Sequence, residues 1–312
     1  PTPIVEAQSY DVDAVSGATF TSRAIMTATK NALALAGDAS AFAQKVTAQP
    51  EAIADAEVDV LVIGGGGAGM AAAISAKDPE LVGADNGLSV MLGEKNGFLG
   101  GSTMLAGGSM GVALPLNDTA NVENQDMLDA FNAFATSYSG SIDESLVQSM
   151  LMISGDTMLK MQALGLSVMT VGDTAASKNY DSILGWVQAY VASDDAWQHA
   201  GTALTNFWED RLDASNVDVR LNTQGEELLV EDGQVVGAKV SHNGTSYNVR
   251  AKKVILACGG FGGNTAMLDT YLPGNSKALP FMASGCDGDG IAMATTLGAT
   301  VSGDGVLGYV GS

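Results

Sequence analysis

VDVLVIGGGGAG, residues 58–69, decides the fold. Val58, Val60, Leu61, Val62 and Ile63 form a short, nearly continuous apolar run rich in β-branched side chains, which suits a buried parallel strand. Gly64-x-Gly66-x-x-Gly69 follows at once, and Met70–Ala76 (MAAAISA) reads as a helix of small residues. Strand, glycines and helix in that order are the context in which GxGxxG means a dinucleotide site. Gly64 allows the tight turn, Gly66 lets backbone approach a pyrophosphate, and Gly69 lets the helix pack against the strand. The first backbone amides of that helix then face the phosphates, the helix dipole adds roughly 0.3–1 kcal/mol, and Gly67 and Ala68 in the turn are expected to belong to the same cofactor site.

An acidic residue should end the second strand and hold the ribose. Leu88–Leu92 (LSVML) is that strand and Glu94 follows it, 25 residues past Gly69; the usual spacing is ~20. The surplus fits the turn-rich loop Asp78–Gly87. Beyond Glu94 lies a second glycine-rich segment, EKNGFLGGSTMLAGGSM (Glu94–Met110). On these residues the chain resembles the FAD-binding flavoproteins of the fumarate reductase and succinate dehydrogenase group, especially the soluble single-chain fumarate and urocanate reductases. In that group the segment wraps the flavin end of FAD. The resemblance therefore implies FAD contacts from Glu94, Lys95, Gly100, Gly101, Ser102, Thr103, Gly107 and Gly108. Ser102 stands where many members have Asn.

The N-terminal region carries another motif, Asp13-Ala-Val-Ser16-Gly17-Ala18-Thr19. It resembles the D-x-x-[ST]-G-A-T signature of FMN-binding domains, in which FMN is linked through its phosphate to the last Thr, here Thr19. Thr21 or Ser22 is expected to cap the helix that follows, and Gly37 to end it. Residues 1–37 are then the C-terminal part of an FMN-binding domain, 38–56 a linker with some helical character, and 57–312 the FAD-binding domain.

Within the last of these, Asn117–Gly165 reads as largely helical, with Met127, Phe131 and Phe134 on one face and a capping box at Ser141–Glu144. Met150, Met152, Met158 and Met161 read as core filler. Val168–Asp195, with Trp186 and Tyr190, has no clear period and is expected to form loops near the flavin. A helix is expected over about Ala200–Leu212, with His199 just before it. Val217–Leu221, Glu227–Glu231, Val235–Val240 and Tyr247–Arg250 are strand-like, and Asp232-Gly233 and Asn243-Gly244 are hairpin signals. They predict an antiparallel meander inserted in the parallel sheet, with Gly225 near the adenine. Lys253–Phe261 (KVILACGGF) looks like the family's VILATGGF strand, with Cys258 in the Thr position as a small core residue. Gly288-Asp289-Gly290 matches the family's GDG, which brings Asp289 close to FAD.

The fold class expected is α/β: a doubly wound parallel sheet with an inserted β-meander, preceded by part of a small α+β FMN-binding domain. The chain has 312 residues, 39 of them glycine, and a formal net charge of −21. That charge argues against nucleic acid and anionic membrane as partners. No apolar run approaches the ~18 residues of a membrane span, and no signal peptide is visible. A chain that starts at Pro1 is expected to be processed or a fragment. Cys258 and Cys286 make no disulfide framework and stand in no CxxCH, and no metal site is expected.

The resemblance implies an oxidoreductase that reduces the C=C bond of a small unsaturated carboxylate. Electrons would pass from an external donor through covalent FMN at Thr19 to noncovalent FAD. The family's catalytic Arg and His residues are expected downstream of Ser312, so none is assigned here; Arg211, Arg220 and Arg250 read as surface or meander residues. An extracytoplasmic location is expected, with cytoplasm as the alternative. Two other readings stay open: a dehydrogenase of the same fold, of the 3-ketosteroid type, and a non-enzymatic electron-transfer module.

Overall fold

A computed structural model describes residues 2–12, 19–44, 52–83, 85–106, 109–112, 144–170, 188–192, 200–274, 277, 282–283 and 285–301. The chain opens with helices α1 (Thr2–Ala7) and α2 (Thr19–Ala36). Helix α2 starts at Thr19, a turn earlier than expected, so Thr21 and Ser22 lie inside it and do not cap it; residues 13–18 of the motif lie outside the described residues. Its end is as expected, with the Gly37 amide bonded to the Leu33 carbonyl at 3.0 Å. The linker contains a 3₁₀ turn, Ala39–Phe42, where the Asp38 carboxylate accepts from the Ser40 amide at 2.8 Å. The Ser9 hydroxyl donates to the Gln44 carbonyl at 2.6 Å, which ties α1 to this turn.

The glycine-rich stretch does what its pattern requires. Strand β1 (Ala56–Ile63) leads through the turn into α3 (Gly67–Lys77) and a short α4 (Pro79–Val82), then β2 (Val90–Gly93) and α5 (Gly101–Leu105). Next come β3 (Ser109–Val112), α6 (Glu144–Ala163), β4 (Val168–Thr170), β5 (Gln188–Ala192) and α7 (Ala200–Ala214). The chain continues with β6 (Asp218–Arg220), β7 (Thr223–Glu231), β8 (Gln234–His242), β9 (Thr245–Leu256), α8 (Thr265–Tyr271) and α9 (Asp289–Thr296).

The main sheet has the order β6-β2-β1-β9-β8-β7. Strand β1 runs parallel to β2 (Leu61 opposite Met91) and to β9 (Leu61 opposite Val254). Strands β7, β8 and β9 form the antiparallel meander. Both hairpin turns have positive φ at their two central residues: 49° and 74° at Asp232-Gly233, 49° and 85° at Asn243-Gly244. That is the type I′ geometry which matches strand twist.

Three segments pair differently from the sequence expectation. Val217–Leu221 is not the first run of the meander; its centre is β6, a parallel edge strand beside β2. Lys253–Leu256 is not a separate strand either, because β9 runs unbroken from the meander into the parallel sheet. A third correction concerns Val168–Asp195, read as loops. Its described parts are β4 and β5, which join β3 in a three-stranded antiparallel sheet, β3-β5-β4. These strands are 3 to 5 residues long, too short for a period to show, and β5 pairs with β3, far away in sequence. Trp186, His199, the helix expected within 117–143 and the start of the capping box lie outside the described residues.

Strand β1 is buried on both faces. Leu61 and Ile63 pack on one side with Met91, Val240, Val249 and Met293. Val62 packs on the other with Met70 and Ile74 of α3 and Leu204, Trp208 and Leu212 of α7. Each such side chain contributes ~1.5–3 kcal/mol on burial. Met158 and Met161 are buried, as core filler should be. Gly165 (φ 102°) follows α6 and lets the chain turn away.

Arg211 proves to be structural. Asp78 caps α4 by accepting from the Glu80 amide at 2.9 Å, and its carboxylate is fully buried. Arg211 of α7 reaches it through Nε at 2.8 Å and also through Nη2, and the Ser215 hydroxyl adds a bond at 3.1 Å. Burial alone would raise the Asp78 carboxyl; the Arg211, Glu80 and Ser215 hydrogen bonds and the Arg211 charge outweigh it and hold the group below its ordinary range. Since the folded value lies below the unfolded one, this stabilisation is complete above the usual carboxylate range and is lost as pH falls through the folded value. Arg211→Met should cost ~3–5 kcal/mol, because it strands a buried charge. Urea unfolding from about pH 7 to about pH 3 checks both: the wild type should lose stability more steeply on acidification than the variant.

Candidate functional site

The three motif glycines serve different ends. Gly64 has φ 111°, and a Cβ there would lie 2.3 Å from the Ala257 carbonyl oxygen. A Cβ on Gly69 would lie 1.7 Å from the Gly64 oxygen. The protein's own backbone therefore forbids side chains at both. Gly66 differs: its φ of −76° and ψ of −179° suit any residue, and among the described residues a Cβ would meet nothing closer than the Gly100 oxygen at 3.9 Å. Among the described residues no atom requires glycine at position 66, and its absent side chain leaves open space in front of α3. Gly66 is also the N-cap of that helix and offers no side chain to cap it. The Gly67 amide donates to the Thr103 hydroxyl at 3.1 Å.

Glu94 closes the corner. It is 6% exposed, and its Oε2 accepts from the Gly65 amide at 2.7 Å. Its Oε1 accepts from the Asn96 amide at 2.7 Å and from Asn96 Nδ2 at 2.9 Å. The Gly100 amide donates to the Gly65 carbonyl at 2.8 Å, which fixes the second glycine-rich segment to the first. Lys95 points across to the start of α9 and binds Asp287 at 2.6 Å and Asp289 at 2.8 Å. Burial would lower the Lys95 ammonium, yet the two carboxylates reverse this and raise it. Gln224 Nε2 donates to Asp289 Oδ2 at 2.9 Å.

These parts converge on one cavity of about 510 Å³. Of the predicted residues, Gly64, Gly66, Gly67, Ala68, Glu94, Lys95, Gly101, Ser102, Thr103, Gly225 and Asp289 line it. Gly69 and Gly100 stand behind it: Gly69 against the strand, and Gly100 where a Cβ would come within 2.9 Å of Thr205. Gly107 and Gly108 lie outside the described residues, and Thr19 is the first residue of α2. Sequence reasoning missed Thr223, Gln224 and Cys286, which also line the cavity, and Asp287. The one sequence signal for Asp287 is its place two residues before Asp289.

Cys258, expected as a small buried core residue, is half-buried: it packs against the Leu61 cluster and also lines the cavity. Its thiol lies 3.4 Å from the Ile63 carbonyl, and burial, helped by the Asp289 charge, pushes it up to about 11. Arg220 is paired with Asp218 at 2.8 Å. Arg250 holds Glu231 with bonds of 2.6 and 2.8 Å. Neither lines the cavity.

A helix start whose N-cap residue has no side chain, an open glycine and a strand-end glutamate lie around one cavity, as a dinucleotide site requires. Consistent with that geometry, a family model for the FAD binding domain matches residues 59–309. The chain belongs to this FAD-binding family. An FMN-binding domain model matches residues 2–34. Urocanate reductase of Eggerthella lenta is 31% identical over 325 residues, which cover 96% of this chain and 48% of that protein. Fumarate reductase (cytochrome) of Shewanella frigidimarina is 31% identical over 247 residues, covering 78% of this chain and 40% of that protein. The open conformation of a flavocytochrome c3 fumarate reductase shares the fold with a TM-score of 0.65 at 24% identity, covering 94% of this chain and 45% of that one. The chain thus spans about half the length of the curated relatives it matches.

The glycine geometry is testable without cofactor. Gly69→Ala should destabilise the apoprotein by ~1–3 kcal/mol or more, since backbone must move. Gly66→Ala should stay within about 0.5 kcal/mol of wild type. Thermal unfolding of both variants measures the difference.

Proposed function

We propose that the chain binds FAD in this cavity and forms the flavin-holding part of a reductase acting on the C=C bond of a small unsaturated carboxylate. The observation that carries the reading is the open space before Gly66 at a helix start whose N-cap residue has no side chain. The amides of Gly66 and Ala68 suit a pyrophosphate, and the Gly67 amide is already given to the Thr103 hydroxyl. A carboxylate offers about four acceptor sites, and three protein donors occupy Glu94, which leaves capacity for a ribose hydroxyl. Thr223–Gly225 border the adenine side, and Gly101–Thr103 the flavin side. Lys95 and Asp289 stand between the two walls of the site.

Bound FAD supplies the hydride chemistry. This chain's residues bind and orient it, and none is assigned a role in protonating substrate. The names of the relatives support fumarate, urocanate and acrylate as the substrate class. We read residues 1–37 as the end of an FMN-binding domain, 38–56 as a linker and 57–312 as the FAD-binding domain. FMN attached at Thr19 is the proposed route for electrons from an outside donor; the FMN-binding match and the SGAT motif support it. The proposed location is extracytoplasmic. Among the described residues no helix is long and apolar enough to cross a membrane.

An assay of the full-length protein with reduced viologen against fumarate, urocanate and aryl acrylates tests the activity; oxidation with at least one is expected, and inertness toward all three contradicts it. Thr19→Ala should abolish flavin that survives denaturation while FAD stays bound; retained covalent flavin would overturn the attachment site. Glu94→Ala should weaken FAD binding about ten-fold or more, the value of a hydrogen bond to a charged group. Flavin fluorescence titration reads that change.

A further inference from the structure

The cavity has two walls from distant parts of the chain. One is the turn after β1 with the Glu94–Asn96 corner. The other is the segment Gly285–Gly290 that leads into α9. Lys95 is the one cation among the described lining residues, and it crosses from the first wall to the second, 192 residues away at Asp287. The crossing is built in. Gly285 has φ 97°, which favours glycine, and a Cβ there would lie 2.6 Å from Lys95 Cε, so the lysine side chain runs directly over that glycine. Gln224 holds Asp289 from the meander side.

The second wall has its own attachments to the loop after β9. The Gly263 amide donates to the Cys286 carbonyl at 2.8 Å and the Gly288 amide to the Gly260 carbonyl at 3.1 Å. Asn264 Nδ2 donates to the Asp287 carbonyl at 2.9 Å. Asp287 itself does not line the cavity, and its side chain is 43% exposed. It touches the site through Lys95, at 2.6 Å.

We propose that Lys95 and Asp287 form a clasp across the mouth of the cavity that sets how fast a bound dinucleotide leaves, with Asp287 a positioning residue acting through Lys95. The proposal rests on the reading of this cavity as the FAD site. Two consequences follow from the geometry. The Lys95 charge is committed to two carboxylates, so the phosphates are held chiefly by helix amides. A clasp this exposed is also screened by salt, so release should quicken as ionic strength rises.

The test is the dissociation rate of FAD from the full chain, followed by the rise in flavin fluorescence after dilution. Asp287→Asn should speed release about five-fold, the scale of a partly exposed ion pair, and flatten its dependence on salt between about 0.05 and 0.5 M. Asp287→Glu should restore the slow rate. In a Lys95→Met background, Asp287→Asn should add no further acceleration, because the pair is already broken. Release at the wild-type rate in Asp287→Asn, or an equal acceleration in both backgrounds, overturns the clasp. Amide hydrogen exchange of the apoprotein gives a reading free of flavin: Gly263 and Gly288 should exchange faster in Asp287→Asn, and unchanged exchange counts against the clasp. Wild-type protein that fails to hold FAD overturns the cofactor reading instead.

Discussion

The whole arrangement depends on how closely α3 approaches the end of β1. The Gly69 backbone lies against the Gly64 carbonyl with no room for a methyl group. Only at that distance can the helix begin where the strand stops and leave its first amides at the carboxyl edge of the sheet. The same corner gathers the rest of the site. Gly65 gives its amide to Glu94 and its carbonyl to Gly100. A Cβ at Gly65 would come within 2.5 Å of Leu99. Each glycine carries an entropic cost of ~0.5–1 kcal/mol relative to Ala, and the packed faces of β1 against α3, α7 and the meander offset it.

A protein with a net charge of −21 that holds an anionic cofactor must shape its field locally. Helix amides do this without a mobile counterion, and Lys95 offsets one of the two aspartate charges that flank the site. Elsewhere the ion pairs differ in weight. Arg250–Glu231 is exposed on both sides and Lys252–Asp59 on its lysine side, so both contribute little. Asp78–Arg211 is buried and joins the C-terminal end of α3 to α7, and so anchors the end of that helix remote from the glycine turn.

Local chemistry made much of this visible before any coordinates. The apolar run with three spaced glycines defined β1, the turn and α3, because each residue there answers to one local steric demand. Asp232-Gly233 and Asn243-Gly244 marked both hairpins, because positive φ at two successive positions leaves few choices of residue. Long-range pairing was not visible. Val217–Leu221 looks like any strand, and its partner β2 is set by the crossover, not by its own residues. Strand β9 belongs to both the antiparallel and the parallel part of one sheet, so its apolar pattern reads as two strands. The β3-β5-β4 sheet joins segments too short and too far apart to announce each other. Asp287 escaped notice for a similar reason: its role exists only because Lys95 arrives from the other wall.

The most direct test of the central claim is a crystal structure of the chain grown with FAD. The account requires the pyrophosphate within hydrogen-bonding distance of the amides at Gly66–Ala68, with the ribose beside Glu94 and the isoalloxazine running toward Gly101–Thr103. Dinucleotide bound elsewhere on the protein, or a cavity that stays empty at saturating FAD, would contradict it.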